Sequence, residues 1–360
     1  MSEIKDIAYK FGCGRYRQEA GLLDEAGDEI TRFGRKAVIV GGKTALGLTK
    51  ERLEKSLEKA GVEYRVVSYA GHCSYAGAER IERNMQDCDM VVGVGGGRIM
   101  DLAKLLACRA DCPVINIPTS SATCAAVTAL SVLYKDDGST VGNFYPRKET
   151  DAVLVDTEIM AKQPPRFLAA GYIDALAKYI EIKNGKRSAE ENNSAMDIIT
   201  ANVLAEHTYQ NLTRLLPAAL DSLERKTPTD DLDSFLFLSI PVTGIISGIS
   251  KGYGQSAIGH EFYYCVRTLF TQEALQYLHG EIVGIGLLVQ TYYNQTPELV
   301  APLADMMKSL SMPLSLPEIG ISGTVENFER IYNMILKSPF VGGDIDSRRR
   351  FREGLEIVMR

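Results

Sequence analysis

The stretch VVGVGGGRIMDLAK, residues 91–104, decides how this chain folds. A run of small β-formers ends in three consecutive glycines, Gly95, Gly96 and Gly97, and apolar residues at helical spacing begin directly behind them. Strand, glycine turn and helix make up the repeating unit of parallel α/β sheets. Glycines lack a Cβ, so they can take positive φ and let backbone N–H groups approach a ligand closely. A helix starting behind them offers free N–H groups and a dipole to a diphosphate. A tight turn that binds nothing suits the same residues, and GGG is not the G-x-G-x-x-G fingerprint. At this point both a packing role and a phosphate role stand open.

Working outward, KAVIVGG (36–42) reads as a buried strand, and KTALGLTKERLEKSLEKAG (43–61) as a helix closed by Gly61. EYRVVSYAG (63–71) gives the next strand and GAERIERNMQDC (77–88) the next helix; PVINIPT (113–119) is a further strand. Strands alternating with helices predict a parallel sheet with ligands at the carboxyl ends of its strands, where VGGGR falls. After about Pro164 the texture changes. RFLAAGYIDALAKYIEIKNGK (166–186), NNSAMDIITANVLAEHTYQNLTRLLPAAL (192–220) and DSFLFLSIPVTGIISGI (233–249) carry apolar residues at helical spacing. The paired prolines Pro164 and Pro165 interrupt regular structure between the two textures. A chain of 360 residues exceeds what one core usually fills. The expectation is an α/β N-terminal domain over 1–162 and an all-α domain over 163–360.

Composition narrows the function classes. With 45% hydrophobic and 24% charged residues the chain is an ordinary globular protein, and a net charge of −6 argues against nucleic acid as a partner. No run of about 18 apolar residues stands out, and MSEIKDIAYKFG lacks the plan of a secretory signal. A cytoplasmic protein without a membrane partner is expected. Seven scattered cysteines with no C-x-x-C read as reduced thiols.

Of the four histidines, His260 in SAIGHEFYY and His279 in YLHGEIVGIGLL stand in similar helical surroundings. A lone histidine on such a face is commonly a packing or surface group, which is the reading for His207 in LAEHTYQNL. Two such histidines with an acid, Asp174 in AAGYIDALAKYIE, make a donor set of two imidazoles and one carboxylate. That set leaves positions open for water and substrate, as in a catalytic zinc or ferrous site.

Taken together, GVGGGRIMDLAK, PTSSATCAAVTALSVLY, VLVDTEIMAKQPPRFLAAGYIDALAKYIE, GHEF and YLHGEIVGIGLLVQ resemble the iron-containing alcohol dehydrogenase family, closest in pattern to its glycerol dehydrogenase and hydroxycarboxylate dehydrogenase branch. The resemblance implies the dehydroquinate synthase-like fold, an N-terminal dinucleotide-binding domain and a helical metal-binding domain with the active site between them. It implies NAD or NADP and one divalent metal, zinc or iron, as cofactors, a small-molecule substrate, and a homo-oligomer. On this resemblance Asp174, His260 and His279 are the metal ligands. Gly95, Gly96 and Gly97 form the diphosphate loop, Asp101 takes its conventional acidic position, and Thr119, Ser120, Thr128, Leu130 and Tyr134 are further dinucleotide contacts. Asp174 and Cys124 border the substrate.

Three departures shape the expected chemistry. Glycerol dehydrogenases of this resemblance carry an aspartate where Cys124 stands, and a neutral thiol cannot accept the same hydrogen bond. Tyr263 replaces a histidine three residues after a metal ligand, so it is the candidate for the proton relay. Gly41, Gly42 and Lys43 replace the acid that holds the ribose hydroxyls of NAD, and a cation there tolerates a 2′-phosphate. The expected reaction is hydride transfer between NAD(P)(H) and a small alcohol or carbonyl, a 2-hydroxy acid and 2-oxo acid pair first and glycerol with dihydroxyacetone as the alternative. A dehydroquinate synthase-like lyase and a non-catalytic binding protein are the readings from other classes.

Overall fold

The computed structural model describes residues 8–251 and 256–360. Six strands form one sheet: β1 (Arg15–Glu19), β2 (Lys36–Gly41), β3 (Glu63–Ser68), β4 (Met90–Gly95), β5 (Val114–Pro118) and, later in the chain, β8 (Ala152–Asp156). Their order is β1-β8-β5-β4-β2-β3, and every pair is parallel. Between β5 and β8 the chain makes an antiparallel hairpin of β6 (Ser131–Tyr134) and β7 (Thr140–Phe144). The inner strands β4, β5 and β8 are buried at every residue, as Val- and Ile-rich runs covered on both faces must be. The expected strands at 36–42, 63–71 and 113–119 are present, as is the one at 90–96 that leads into the glycines. β1, RYRQE, escaped the reading because a polar edge strand has no apolar run to announce it.

Helix α1 (Lys43–Lys59) ends as expected, with Gly61 just beyond it at φ +68°. The helix expected over 77–88 is α2 (Tyr75–Glu82). It begins earlier because Ser74 accepts from the Gly77 N–H as its N-cap, and the residues after Arg83 leave the helix. Helix α3 (Gly97–Ala110) follows β4 directly.

From β2 the chain runs outward to β3 and then returns to β4 on the other side of β2, so strand order reverses between β2 and β4. Such a switch opens a crevice at the carboxyl ends of the strands. Gly41 pairs with Val94 across it, which puts Gly42 and Lys43 beside the glycines 95–97 at the carboxyl ends of two inner strands.

After β8 every described element is helical. Helices α4 (Pro165–Glu181), α5 (Met196–Arg225), α6 (Ile258–Leu269) and α7 (His279–Tyr293) share a core with Leu168, Tyr172, Ile173, Ile258, Phe262, Ile282 and Ile285 buried in it. Two close approaches need glycine. A Cβ on Gly171 would lie 1.8 Å from the Ser121 carbonyl oxygen, and one on Gly280 would lie 2.1 Å from that of Ala170. The first seats the loop after β5 on α4; the second seats the start of α7 on α4. The segment Asp230–Ile249 has the length and hydropathy of a membrane span, 20 residues at 1.7, but 67% of its most apolar window is buried inside the protein. It is a core helix, with Leu232, Phe235, Leu236, Ile240 and Ile246 fully covered.

Candidate active site

Three helices bring the expected donors together. Asp174 lies in the middle of α4, His260 in the first turn of α6, and His279 at the first residue of α7. One donor atom from each falls within 4.8 Å of the other two. Asp174 Oδ1 is 3.3 Å from His260 Nε2 and 3.5 Å from His279 Nε2. Although buried, Asp174 Oδ1 makes no well-formed hydrogen bond. A buried carboxylate oxygen without a hydrogen-bond partner, facing two imidazole nitrogens, is a donor set that can hold a divalent cation. Arg166 holds the start of α7 in place by a bidentate pair with Glu281, 2.5 and 2.6 Å, and Glu281 also accepts from the Leu278 N–H at 2.8 Å.

Behind His260 stands a residue that sequence reasoning did not single out. Glu181, at the end of α4 and wholly buried, lies with Oε2 2.5 Å from His260 Nδ1, while its Oε1 accepts from the backbone N–H groups of Ala257 and His260 at 2.8 Å each. A carboxylate there keeps the proton on Nδ1 and turns the Nε2 lone pair toward Asp174 and His279. Burial pushes the His260 imidazole down, but the carboxylates of Glu181 and Asp174 together outweigh it and the net shift is upward. Burial likewise pulls Asp174 up, and Lys178 with the two imidazoles overcomes this and holds it well below the carboxylate range. Burial lowers His279 against the pull of Asp174. The spacing Asp174, Lys178, Glu181 puts all three on one face of α4, and that i, i+4, i+7 pattern of charges in an apolar helix was the signal available in the sequence.

Tyr263, one turn along α6, sets its ring edge-on to His279 at 4.3 Å between centroids, and its hydroxyl lies 2.8 Å from that of Tyr134 on β6. The Tyr134 ring meets His72 at 5.5 Å, so among the four histidines only exposed His207 stands clear of this surround. Cys124 is 5% exposed, and burial, with the Asp174 charge behind it, pushes its thiol up to about 12. It is a neutral group at physiological pH.

At the carboxyl end of β4, Gly95 has φ +155° and Gly96, the N-cap of α3, has φ −91°. Positive φ therefore explains Gly95 alone, and the expectation of it for all three glycines is corrected. Gly96 and Gly97 are explained by crowding: a Cβ on Gly96 would meet Ser120 Oγ at 3.2 Å, and one on Gly97 would meet Thr123 Oγ1 at 2.8 Å. No side chain caps α3, an N-terminus of the kind that suits a diphosphate. Thr119 donates its N–H to the Gly95 carbonyl at 2.9 Å and continues the loop over the glycines. Asp101 is turned inward: it pairs with Lys104 at 2.9 Å and accepts from the Val132 N–H at 3.1 Å. Lys104 also donates to the carbonyls of Thr128, at 3.0 Å, and of Leu130, and so shapes the backbone on which those two residues sit. Lys43 opens α1, exposed, at the neighbouring strand end.

The chain is similar to known proteins along most of its length. The sequence profile of iron-containing alcohol dehydrogenases matches residues 13–157. The glycerol dehydrogenase of Thermotoga maritima is 33% identical over 317 residues, 86% of this chain and 84% of that one. Hydroxycarboxylate dehydrogenase A of Escherichia coli K12 is 27% identical over 301 residues, 79% of this chain and 78% of its own. The solved glycerol dehydrogenase of Schizosaccharomyces pombe superposes with a TM-score of 0.82 at 22% identity, covering 99% of this chain and 91% of that one, and so shares the fold. With a relative one-third identical along most of both chains, this chain belongs to the iron-containing alcohol dehydrogenase family, metal-dependent enzymes that act on alcohol groups with NAD(P).

Proposed function

We propose that this chain interconverts a small alcohol carrying a second oxygen on the neighbouring carbon and the matching carbonyl, with glycerol and dihydroxyacetone the first pair to test. The observation that carries the reading is one loop serving both halves of the chemistry. Thr123 presses on Gly97 in the cofactor cradle, Ser121 presses on Gly171 in α4, and Cys124 between the two regions feels the charge of Asp174. A nicotinamide held over the glycines and a substrate held at the donor cluster would then share one chamber.

In this reading Asp174, His260 and His279 hold the metal, and Gly95, Gly96, Gly97, Thr119 and Ser120 hold the cofactor. Bound there, the metal supplies a Lewis acid for the substrate oxygen and the nicotinamide takes or returns hydride. The chain's own part is positioning. Glu181 fixes the tautomer of His260 through Nδ1. Tyr263 Oη, hydrogen-bonded to Tyr134 Oη, carries the proton between the chamber and the hairpin. The neutral Cys124 thiol walls the substrate side without adding charge.

The relatives' names weigh toward glycerol more than toward the hydroxy acid expected from Cys124. The second reading, a 2-hydroxy acid and 2-oxo acid pair, is supported by the buried neutral thiol where glycerol dehydrogenases have an acid, because a carboxylate substrate meets no repulsion there. The test is an assay of metal-free and zinc- or iron-loaded protein with NAD(H) and NADP(H) against glycerol, dihydroxyacetone, 2-oxobutyrate and simple aldehydes. Absence of metal-stimulated turnover with every substrate would sink the reading.

A further inference from the structure

The hairpin of β6 and β7 has one end on each half of the chain. Its root is tied to α3, behind the glycine turn: Ser131 Oγ donates to the Asp101 carbonyl at 3.0 Å, the Val132 N–H donates to Asp101 Oδ2 at 3.1 Å, and Leu133 is buried among Leu102, Leu105 and Leu106. Its far side lies on α6, the helix of His260, through polar contacts. Tyr134 Oη is 2.8 Å from Tyr263 Oη, Tyr264 Oη donates to Asn143 Oδ1 at 3.0 Å, the hydroxyls of Thr140 and Thr268 are 2.9 Å apart, and Arg267 Nη2 donates to the Gly138 carbonyl. The four residues of α6 recur at i, i+1, i+4 and i+5, so they form one stripe along the helix. Arg267 is 5% exposed, and a buried guanidinium is costly unless its charge is answered. Its hydrogen bond goes to the hairpin, its cation faces the Tyr134 ring at 5.4 Å from the centroid, and its Nε has no hydrogen-bond partner. Gly138 meets it at the hairpin tip with φ +88°, where a Cβ would lie 2.8 Å from His72 Nε2, 2.9 Å from Leu275 Cδ2 and 3.2 Å from Arg267 Nη2. The tip is wedged between the loop before α2 and the end of α6.

We propose that Arg267 is a positioning residue for the cofactor: by holding the hairpin tip on α6 it fixes Thr128, Leu130 and Tyr134 where they meet the dinucleotide. The proposal rests on the reading of those three residues as cofactor contacts. A hairpin carried by its root alone keeps the apolar seat of Leu133 on α3 but swings at its tip. The cofactor then binds the docked fraction only, and its apparent Kd rises as that fraction falls. The donor cluster stands apart from this hold, since Asp174 and His279 lie on α4 and α7 and His260 lies two turns before Arg267.

The test titrates zinc-loaded parent, Arg267→Met, Arg267→Lys and Gly138→Ala with NADH and NADPH by nucleotide fluorescence. Zinc affinity is followed by chelator competition, folding by thermal melts, and the hairpin by hydrogen exchange over residues 131–144. A lost hydrogen bond to a charged group shifts the docking equilibrium by about tenfold or more, so the apparent cofactor Kd should rise by about threefold or more in Arg267→Met. Zinc affinity should stay within about twofold of the parent, exchange at the hairpin should quicken, and KM for the cofactor should rise more than kcat falls. Arg267→Lys, which can still donate to the Gly138 carbonyl, should recover most of the affinity. Gly138→Ala displaces the tip without altering α6 and should reproduce the Arg267→Met pattern, so it carries the test if Arg267→Met does not fold. Cofactor affinity within twofold of the parent in the folded variants overturns the proposal. Zinc lost in step with cofactor also overturns it, by making Arg267 a general prop of α6. Failure of the dehydrogenase reading looks different: the parent itself binds neither nucleotide, and the proposal falls with it.

Discussion

Replacing Glu181 by glutamine separates the orienting role of this residue from the ligands themselves. The carboxylate is wholly buried and takes three hydrogen bonds, one from His260 Nδ1 at 2.5 Å and two from backbone N–H groups at 2.8 Å. A glutamine is nearly isosteric, so the backbone of α6 has little reason to move. Its carbonyl oxygen can still accept from Ala257 and His260, which turns its NH2 toward Nδ1. His260 must then accept at Nδ1 and carry its proton on Nε2, where the metal needs a lone pair. Flipping the amide restores an acceptor to Nδ1 but sets an NH2 against two backbone N–H groups, each left unsatisfied at about 1–3 kcal/mol. Either way metal binding must work against one of these mismatches. Supports of this kind cost about 10–100-fold in metal affinity when removed, or about 1.4–2.7 kcal/mol. Zinc competition against a chromophoric chelator reads this directly, and cofactor affinity measured by NAD(P)H fluorescence should not change. Zinc affinity within twofold of the parent would refute the tautomer argument and reduce Glu181 to a cap on α6.

Asp174→Ala and His279→Ala should each lose bound metal and metal-dependent turnover while melting as folded proteins, whereas His207→Ala at an exposed position of α5 should stay within about twofold of the parent; activity in either of the first two means that the ligand is misassigned. Gly96→Val should weaken cofactor binding by about tenfold or more, because its Cβ enters the space between the glycine turn and Ser120 Oγ, 3.2 Å away, and displaces a phosphate from the N–H groups. Unchanged cofactor affinity would return the glycines to a packing role. Cys124→Asp should shift kcat/KM from 2-oxobutyrate toward dihydroxyacetone, since a buried acid repels a carboxylate substrate; an unaltered ratio removes position 124 from substrate choice. Glu29, held down to about 2 by Arg15 and Arg17 against a usual 4.5, contributes stability that is complete above pH 4.5 and lost as pH falls toward 2. Two and a half units are about 3 kcal/mol, which solvent around Arg15 reduces to about 2; Glu29→Gln should flatten the acid limb of urea-unfolding stability between pH 4.5 and 2, and an unchanged limb refutes the assignment.

The parallel sheet was legible because its inner strands must be apolar on both faces, and so β2, β4 and β5 stand out as uninterrupted runs between turn signals. β1 was not, because its cross-strand partners and the arginines it offers to Glu29 are tertiary facts with no local period. The strand–helix boundary at Gly95–Gly97 was legible as a turn, but the reason for each glycine was not. Only the fold brings Ser120 and Thr123 against Gly96 and Gly97, and so turns an assumed need for positive φ into a need for space.

The same limit governs the donor cluster. Asp174, His260 and His279 come from three helices far apart in the chain, and in the sequence they were joined by resemblance and not by spacing. Glu181 and Lys178 share a helix face with Asp174 and their spacing shows as much, yet charged residues on a helix usually point to water, and spacing alone does not turn that face inward. What settles the matter is burial. α4 keeps Ile173, Ala175, Leu176 and Ala177 in the core beside Asp174, Lys178 and Glu181, so it has no solvent face at these positions. A helix with charges on its covered side has to satisfy them within the protein. Here Glu181 is satisfied by His260 and the backbone of α6, which leaves Asp174 Oδ1, facing the two Nε2 atoms, as the buried acceptor without a hydrogen bond.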